Sequence, residues 1–161
     1  MTVYLIIAVF GIGLVAGLRA LTAPAIVSSA IWLGYLHLAH TPLTFMSTST
    51  AAIIFNILAL GEYIGDKLPS TPARTALPGL IGRIVSGGLC GATLSAAAGQ
   101  TLITGAILGI VGGIAGCYGG YYARTRLVKA LGVKDAYVAL PEDLVAIGLG
   151  CLFVTLAISG I

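Results

Sequence analysis

Charge is the scarcest feature of this sequence. Its 161 residues include only eight Lys and Arg and five Asp and Glu, whereas 58% are hydrophobic. A soluble domain is typically about 25% charged and about 45–50% apolar, so these few charges could not cover a water-facing surface. A disordered chain is excluded as well, because such chains are rich in charge and poor in apolar residues. The composition predicts an integral membrane protein with no nucleic-acid partner.

Catalytic and metal-binding motifs are also missing. The sequence contains no H-E-x-x-H, G-x-S-x-G or G-x-x-x-x-G-K-[ST] pattern, which are signatures of zinc hydrolases, serine hydrolases and phosphate-binding loops. A two-metal site would need nearly all of the five carboxylates. The three cysteines, Cys90, Cys117 and Cys151, have no metal-ligand spacing, so we expect them to pack as small apolar side chains. We predict no enzyme activity, no cofactor and no metal.

The charged residues divide the chain into long apolar runs. Uncharged runs of 18, 42, 40 and 18 residues begin at Met1, Ala20, Ile84 and Leu144. A transmembrane helix needs about 20 apolar residues, so the runs hold one, two, two and one helix. The sequence predicts an all-α bundle of six transmembrane helices, arranged as three hairpins in a single domain over residues 1–161. We expect the helices at about 3–18, 22–39, 50–66, 79–98, 101–123 and 141–160.

The basic residues indicate how the bundle is oriented. Lys and Arg are enriched in cytoplasmic loops, and six spans with both termini outside place all eight of them on the cytoplasmic side. The third cytoplasmic connection, residues 124–143, is long enough for a short amphipathic helix on the membrane surface. In that helix Arg126, Lys129 and Lys134 would face water.

Glycines repeat every fourth residue along several predicted helices. Two such ridges share the fifth helix, and shorter ones occur in the first and fourth helices. Lipid gives helices no hydrophobic reason to associate, so small residues bring their backbones into contact. The pattern predicts a central fifth helix with glycine-zipper packing, either within one chain or at the interface of a homo-oligomer. The glycines concerned are Gly13, Gly17, Gly87, Gly91, Gly105, Gly109, Gly112, Gly113, Gly116 and Gly120.

Charged residues near the ends of the predicted helices are candidates for a buried cluster. Arg83 lies inside the fourth helix, and Glu62 and Asp66 share one face of the third. Ionisable groups at membrane depth usually face the bundle interior and are paired or line a cavity. We therefore expect Arg83 to pair with Glu62 or Asp66, with Arg19 in the same cluster. The alternative is that the two arginines extend their guanidinium groups to the membrane surface.

The second cytoplasmic connection adds further candidates. Residues 66–75 combine Asp66 with Lys67, Arg74 and several hydroxyl groups between prolines. Two cations and several hydroxyls in a stiff loop are suited to an anion such as a phosphate headgroup. The Ser and Thr residues beside Pro also suit turns and caps, which need no ligand. Glu142 and Asp143 are explained by the dipole of the sixth helix, since acidic residues are favoured in a first turn.

Several segments together resemble a small bacterial membrane-protein family. They are residues 17–24 (GLRALTAP), 59–62 (ALGE), 66–75 (DKLPSTPART), 78–79 (PG), 83–87 (RIVSG) and 139–143 (ALPED). The chain resembles domain-of-unknown-function family four-one-two-six over nearly its whole length. The resemblance implies a location in the bacterial inner membrane. It assigns no activity to Arg19, Glu62, Asp66, Lys67, Arg74 or Arg83.

These features favour a binding or transport function. We expect a transporter- or channel-like protein that moves a small solute, with anions favoured, through the charged cluster at the cytoplasmic side. Its ligand-binding candidates are Arg19, Glu62, Asp66, Lys67, Arg74 and Arg83. The alternative is a structural membrane protein that docks other membrane proteins or anionic lipids. The expected partners are membrane lipids, a second copy of the chain, and a small solute or lipid headgroup.

Overall fold

The chain folds into helices joined by short connections. The computed structural model describes residues 1–38, 41–65, 76–132 and 135–160, and this part of the chain contains no strand. A short 3₁₀ turn at Thr44–Ser47 precedes the third helix. The six α-helices are α1 (Val3–Leu18), α2 (Thr22–Trp32), α3 (Ser49–Gly65), α4 (Leu77–Ala97), α5 (Leu102–Leu131) and α6 (Asp135–Gly160).

Helix length separates these helices into two groups. By length and composition, three of the described helices, α4, α5 and α6, could cross a membrane. The apolar helices α1, α2 and α3 have 16, 11 and 17 residues. At 1.5 Å per residue α2 is only about 16 Å long, roughly half of the hydrocarbon thickness. By this measure the expected count of six spans is reduced to three.

The second helix is shorter than predicted because a glycine ends it. The sequence indicated a helix to residue 39, but α2 ends at Trp32. Gly34 has φ +82°, and the N–H groups of Gly34 and Tyr35 donate to the carbonyls of Ile31 and Ala30. This is a Schellman motif, in which a left-handed glycine ends a helix and satisfies its last carbonyls.

The last two helices are longer than predicted. α5 continues past residue 123 to Leu131, where Gly132 follows with φ +62°. α6 begins at Asp135 and contains Pro141, six residues after its start. The expected surface helix between residues 124 and 143 therefore does not form as a separate element. Residues 124–131 contain no Gly or Pro to end a helix, so α5 simply extends.

The centre of the bundle is α1 rather than α5. Ala8, Val9, Ile12, Val15 and Ala16 are all 0% exposed, and α1 packs against α2, α4, α5 and α6. α5 packs mainly against α1 and α4 and exposes the rest of its surface. The repeated glycines therefore identify α5 as a helix that its neighbours approach closely, whereas α1 contacts more helices than α5 does.

The glycines of α5 lie at its crossings with two neighbours. A Cβ added at Gly109 would overlap the Gly87 carbonyl oxygen of α4, and one at Gly105 would overlap that of Gly91. On the other side, additions at Gly112 and Gly116 would overlap carbonyl oxygens of α1. Gly13, Gly17 and Gly113 lie in the same contacts, and Gly120 is buried. Both ridges are covered by helices of the same chain.

Opposite ends of the bundle differ in charge. At one end the Met1 amino group donates to Gln100 Oε1 (3.3 Å) and Thr2 Oγ1 donates to the Gly160 carbonyl (3.2 Å). At the other end α1 passes into α2, α3 ends and α4 begins. Glu62, Arg124 and Asp143 lie at this second end, which we call the charged end.

Candidate functional site

A buried arginine forms the centre of the charged end. Arg19 lies between α1 and α2 and is 0% exposed. Its Nη2 forms an ion pair with Oδ1 of Asp143 on α6, and its guanidinium carbon lies 5.7 Å from the ring centroid of Tyr63. Removing two charges from water is costly unless the pair is well formed. Arg19, Tyr63 and Asp143 therefore link the α1–α2 turn to α3 and α6.

Glu62 caps the start of α2 from a neighbouring helix. Its Oε1 accepts the N–H of Ala20 and its Oε2 accepts the N–H of Leu21, both at 2.9 Å. The α2 N-cap, Leu21, has no side chain able to do this. A carboxylate at a helix N-terminus satisfies unpaired N–H groups and complements the helix dipole. One residue later, the Tyr63 hydroxyl lies 2.7 Å from Thr22 Oγ1.

Arg83 binds the end of α1. The side chain is only 5% exposed, and its Nε donates to the carbonyl of Gly17 at 2.9 Å. Its Nη1 donates to the Gly79 carbonyl at 3.2 Å. A cation at a helix C-terminus is favoured by the dipole. The burial of Arg19 and Arg83 is at odds with the alternative that they extend to the membrane surface.

The contacts differ from the expected ion pair of Arg83 with Glu62. In the described part of the chain, Glu62 binds the backbone of the α1–α2 turn and Arg83 binds the backbone of α1. The other expected partner, Asp66, lies outside the described residues, as do Lys67 and Arg74. Of the six candidates, the structure therefore brings Arg19, Glu62 and Arg83 to one end of the bundle.

A second ion pair adjoins the first. Arg124 Nη1 on α5 lies 3.3 Å from Glu142 Oε2 on α6, and each side chain is 12% exposed. Glu142 precedes Asp143, so adjacent carboxylates of α6 bind arginines from two different elements. Because α6 begins at Asp135, the two carboxylates lie seven and eight residues after its start, outside the first turn, and the explanation by the helix dipole is wrong.

Sequence reasoning did not assign Thr22, Tyr63 or Asp143 to the site. The local sequence does not assign Tyr63 or Thr22 to a site, because both residue types also occur in apolar helices without such a role. Asp143 does carry a local signal, because a carboxylate beside an uncharged run of 18 residues needs a cationic partner at membrane depth. Only the packing of α6 against α1 identifies that partner as Arg19.

A groove lies between α2, α3 and α6. Its volume is about 510 Å³ and most of its lining is apolar. Asn56 Nδ2 donates to Ser29 Oγ at 2.8 Å and so joins α3 to α2 across the groove. It also donates to the Ala52 carbonyl of its own helix at 2.8 Å. The lining residues are Ala25, Ile26, Ser29, Ala30, Leu33, Tyr35, Asn56, Cys151, Val154, Thr155 and Ile158.

The groove and the charged end belong to the same three helices. Along α2, Thr22 lies at the charged end, and Ala25, Ile26, Ser29 and Ala30 line the groove; on α3 the order is Tyr63 and then Asn56. On α6, Asp143 pairs with Arg19, and Cys151, Val154, Thr155 and Ile158 line the groove. The charged end therefore lies at one end of α2, α3 and α6, and the groove lies nearer their other end.

Within residues 1–38, 41–65, 76–132 and 135–160, no group of three or more His, Cys, Asp or Glu is placed to hold a metal ion. Cys90 and Cys117 are buried, and Cys151 lies exposed in the groove.

The chain matches no family model, no curated protein and no solved structure. Its resemblance to the family of unknown function therefore remains a prediction.

Proposed function

We propose that all six helices lie within the bilayer of the bacterial inner membrane. Three of them are long enough to cross it alone. α1 is shorter, but it packs beside α6 from the Thr2–Gly160 contact to the Arg19–Asp143 pair, so it extends along the same depth. The charged end faces the cytoplasm because Lys and Arg favour that side, which places both termini outside.

Within this frame, the protein acts as a carrier for a small solute, with anions favoured. The observation that supports this function is the arrangement of α2, α3 and α6, which hold an open groove toward one side and a buried ion-paired cluster toward the other. The groove supplies the polar groups of Ser29, Asn56 and Thr155 in the half of the bundle opposite the charged end. Arrangements open to one side and closed to the other are typical of alternating access.

Arg19 is the group that recognises the solute in this proposal. Its guanidinium offers several N–H donors in a planar fork suited to an anion. An anion that reaches it through the groove competes with Asp143, and release of Asp143 frees α6 from the α1–α2 turn. Glu62 and Tyr63 hold α3 to α2 while α6 separates.

Anion flux from vesicles tests this function. Purified protein is reconstituted into proteoliposomes, and the efflux of chloride and of inorganic phosphate is measured separately. We expect flux of at least one anion from the unaltered protein and its loss in Arg19→Gln. Thr104→Val, an exposed change on α5 at the opposite end, serves as the matched control and should retain flux. Folded Arg19→Gln protein with full flux would contradict the proposal.

The alternative function is a structural one, in which the protein docks another membrane protein. One observation favours it: among the described elements, α3 packs mainly against α2 and the 3₁₀ turn, and its outer surface is apolar. Exposed on it are Ile53, Ile54, Ile57, Leu58, Leu60 and Ile64. This function predicts that Ile57→Asn disrupts a complex isolated from native membranes, while Arg19→Gln leaves the complex intact.

A further inference from the structure

One face of α5 changes character in a regular order along its length. Ile103, Ile107 and Val111 are 73%, 56% and 50% exposed, and Tyr118 and Tyr122 follow at 41% and 59%. Arg126 and Lys129 complete the row and are exposed. Successive members are three, four or seven residues apart, and these spacings keep the side chains on one side of a helix. The face therefore runs from aliphatic through aromatic to basic.

This order matches the depth profile of a lipid leaflet. α5 has 30 residues, and at 1.5 Å per residue it is about 45 Å long, about 15 Å longer than the hydrocarbon core. Tyrosine is enriched where hydrocarbon meets headgroups. Tyr118 and Tyr122 are the tyrosines of this face, and the ring of Tyr122 contacts that of Tyr121 edge-on at 5.5 Å. Arg126 follows Tyr122 by about 6 Å of helix rise, which places it at the level of the phosphates.

A contact between α1 and α5 places the membrane boundary at the same level. Gly17 packs against Gly116 and Cys117, so Arg19, two residues further on, lies beside the tyrosines rather than in the middle of the bilayer. The buried charges inside the bundle and the exposed tyrosines on its surface therefore lie at the same membrane boundary.

The basic residues of this face differ from their neighbour Arg124. Arg124 is paired with Glu142, whereas Arg126 and Lys129 are exposed and form no ion pair with Glu62, Glu142 or Asp143, the acidic side chains that the structure describes. They are three residues apart, so their side chains are adjacent on the helix surface. Two adjacent exposed cations attract an anionic group.

We propose that this face of α5 is a binding site for an anionic phospholipid. Its acyl chains lie along Ile107 and Val111, its glycerol region contacts Tyr118 and Tyr122, and its phosphate is held by Arg126 and Lys129. The occupant is a lipid because the aliphatic and basic parts are continuous on one exposed face. The inference rests on the membrane placement proposed above and is independent of transport.

Native mass spectrometry of the detergent-extracted protein tests this site. The protein is incubated with equimolar phosphatidylglycerol and phosphatidylcholine, and bound lipid of each kind is counted. We expect preference for phosphatidylglycerol in the unaltered protein. Because each basic side chain near the surface contributes about fivefold to anionic-lipid binding, Arg126→Gln with Lys129→Gln should lower that preference about 25-fold.

The control removes the same net charge elsewhere. Ser47→Glu with Thr50→Glu also lowers the net charge by two, but at the opposite end of the bundle, and should keep the preference. An equal loss in both double variants would overturn the site, because net charge alone would then explain binding. Equal retention of the two lipids by the unaltered protein, or equal binding of glycerol phosphate without chains, would overturn it too. If the unaltered protein shows no anion flux but still prefers phosphatidylglycerol, only the proposed transport function is contradicted.

Discussion

The bundle has two parts that are held together by different means. α1, α4 and α5 meet at glycines, where the backbone of one helix touches the backbone of the next. α3 is held instead by polar side chains to α2 and to the α1–α2 turn, and the Arg19–Asp143 ion pair links α6 to the same turn. Backbone contact leaves no room for adjustment, whereas side-chain contacts can be exchanged. We propose that the first part is a rigid scaffold and that the second part moves.

Breaking the ion pair of the second part should have the largest effect. Asp143→Asn leaves the buried Arg19 charge without its carboxylate, and we expect a loss of about 3–5 kcal/mol in the free energy of unfolding. Removing both charges, in Arg19→Gln with Asp143→Asn, should cost less than the sum of the single changes. Thermal unfolding in detergent measures all three variants. Strict additivity would show that the two residues do not interact.

Crowding the glycine contacts of the first part should have the second-largest effect on stability. Gly109→Ala places a methyl group against the Gly87 carbonyl, so α4 and α5 must separate, at a cost of about 1–3 kcal/mol. Gly61→Ala is the matched control: Gly61 is in α3, and a Cβ there meets nothing within 4 Å. Because Ala is the better helix former, the control should be neutral or stabilising. Thermal unfolding in detergent measures both variants. An equal loss in the free energy of unfolding in Gly109→Ala and Gly61→Ala would contradict the distinction between the two parts.

Removing the cap of α2 should have the smallest effect. Glu62→Ala leaves the N–H groups of Ala20 and Leu21 without their carboxylate, and loss of an N-terminal cap costs about 1 kcal/mol. Glu62→Gln keeps an acceptor oxygen and should cost less. Both are measured by thermal unfolding. A larger loss in Glu62→Gln than in Glu62→Ala would contradict a capping role.

The sequence predicted helix positions better than helix lengths. Long uncharged runs located all six helices, because apolar content is a property of each segment alone. Their ends depend on single residues: Gly34 ends α2 by adopting a left-handed conformation, while many other glycines continue a helix. Glycine therefore ends one helix and continues others, and the local sequence pattern does not distinguish the two cases.

The site was predictable in location but not in its pairing. Scarce charges at the ends of apolar runs indicated Arg19, Glu62 and Arg83 together at one end. The partner of Arg19 is 124 positions away in sequence at Asp143, and it depends on which helices are neighbours. The groove combines α2, α3 and α6, whose proximity no single segment encodes.

Hydrogen exchange in lipid nanodiscs tests the division into scaffold and moving part most directly. We predict that Ala8–Ala16 of α1 and Gly105–Gly116 of α5 stay protected, while the first turn of α2 and the end of α3 exchange faster. Arg19→Gln should accelerate exchange at those two places and leave α1 and α5 unchanged. Uniform exchange across all helices, or equal acceleration of α1 and α5 by Arg19→Gln, would contradict the account.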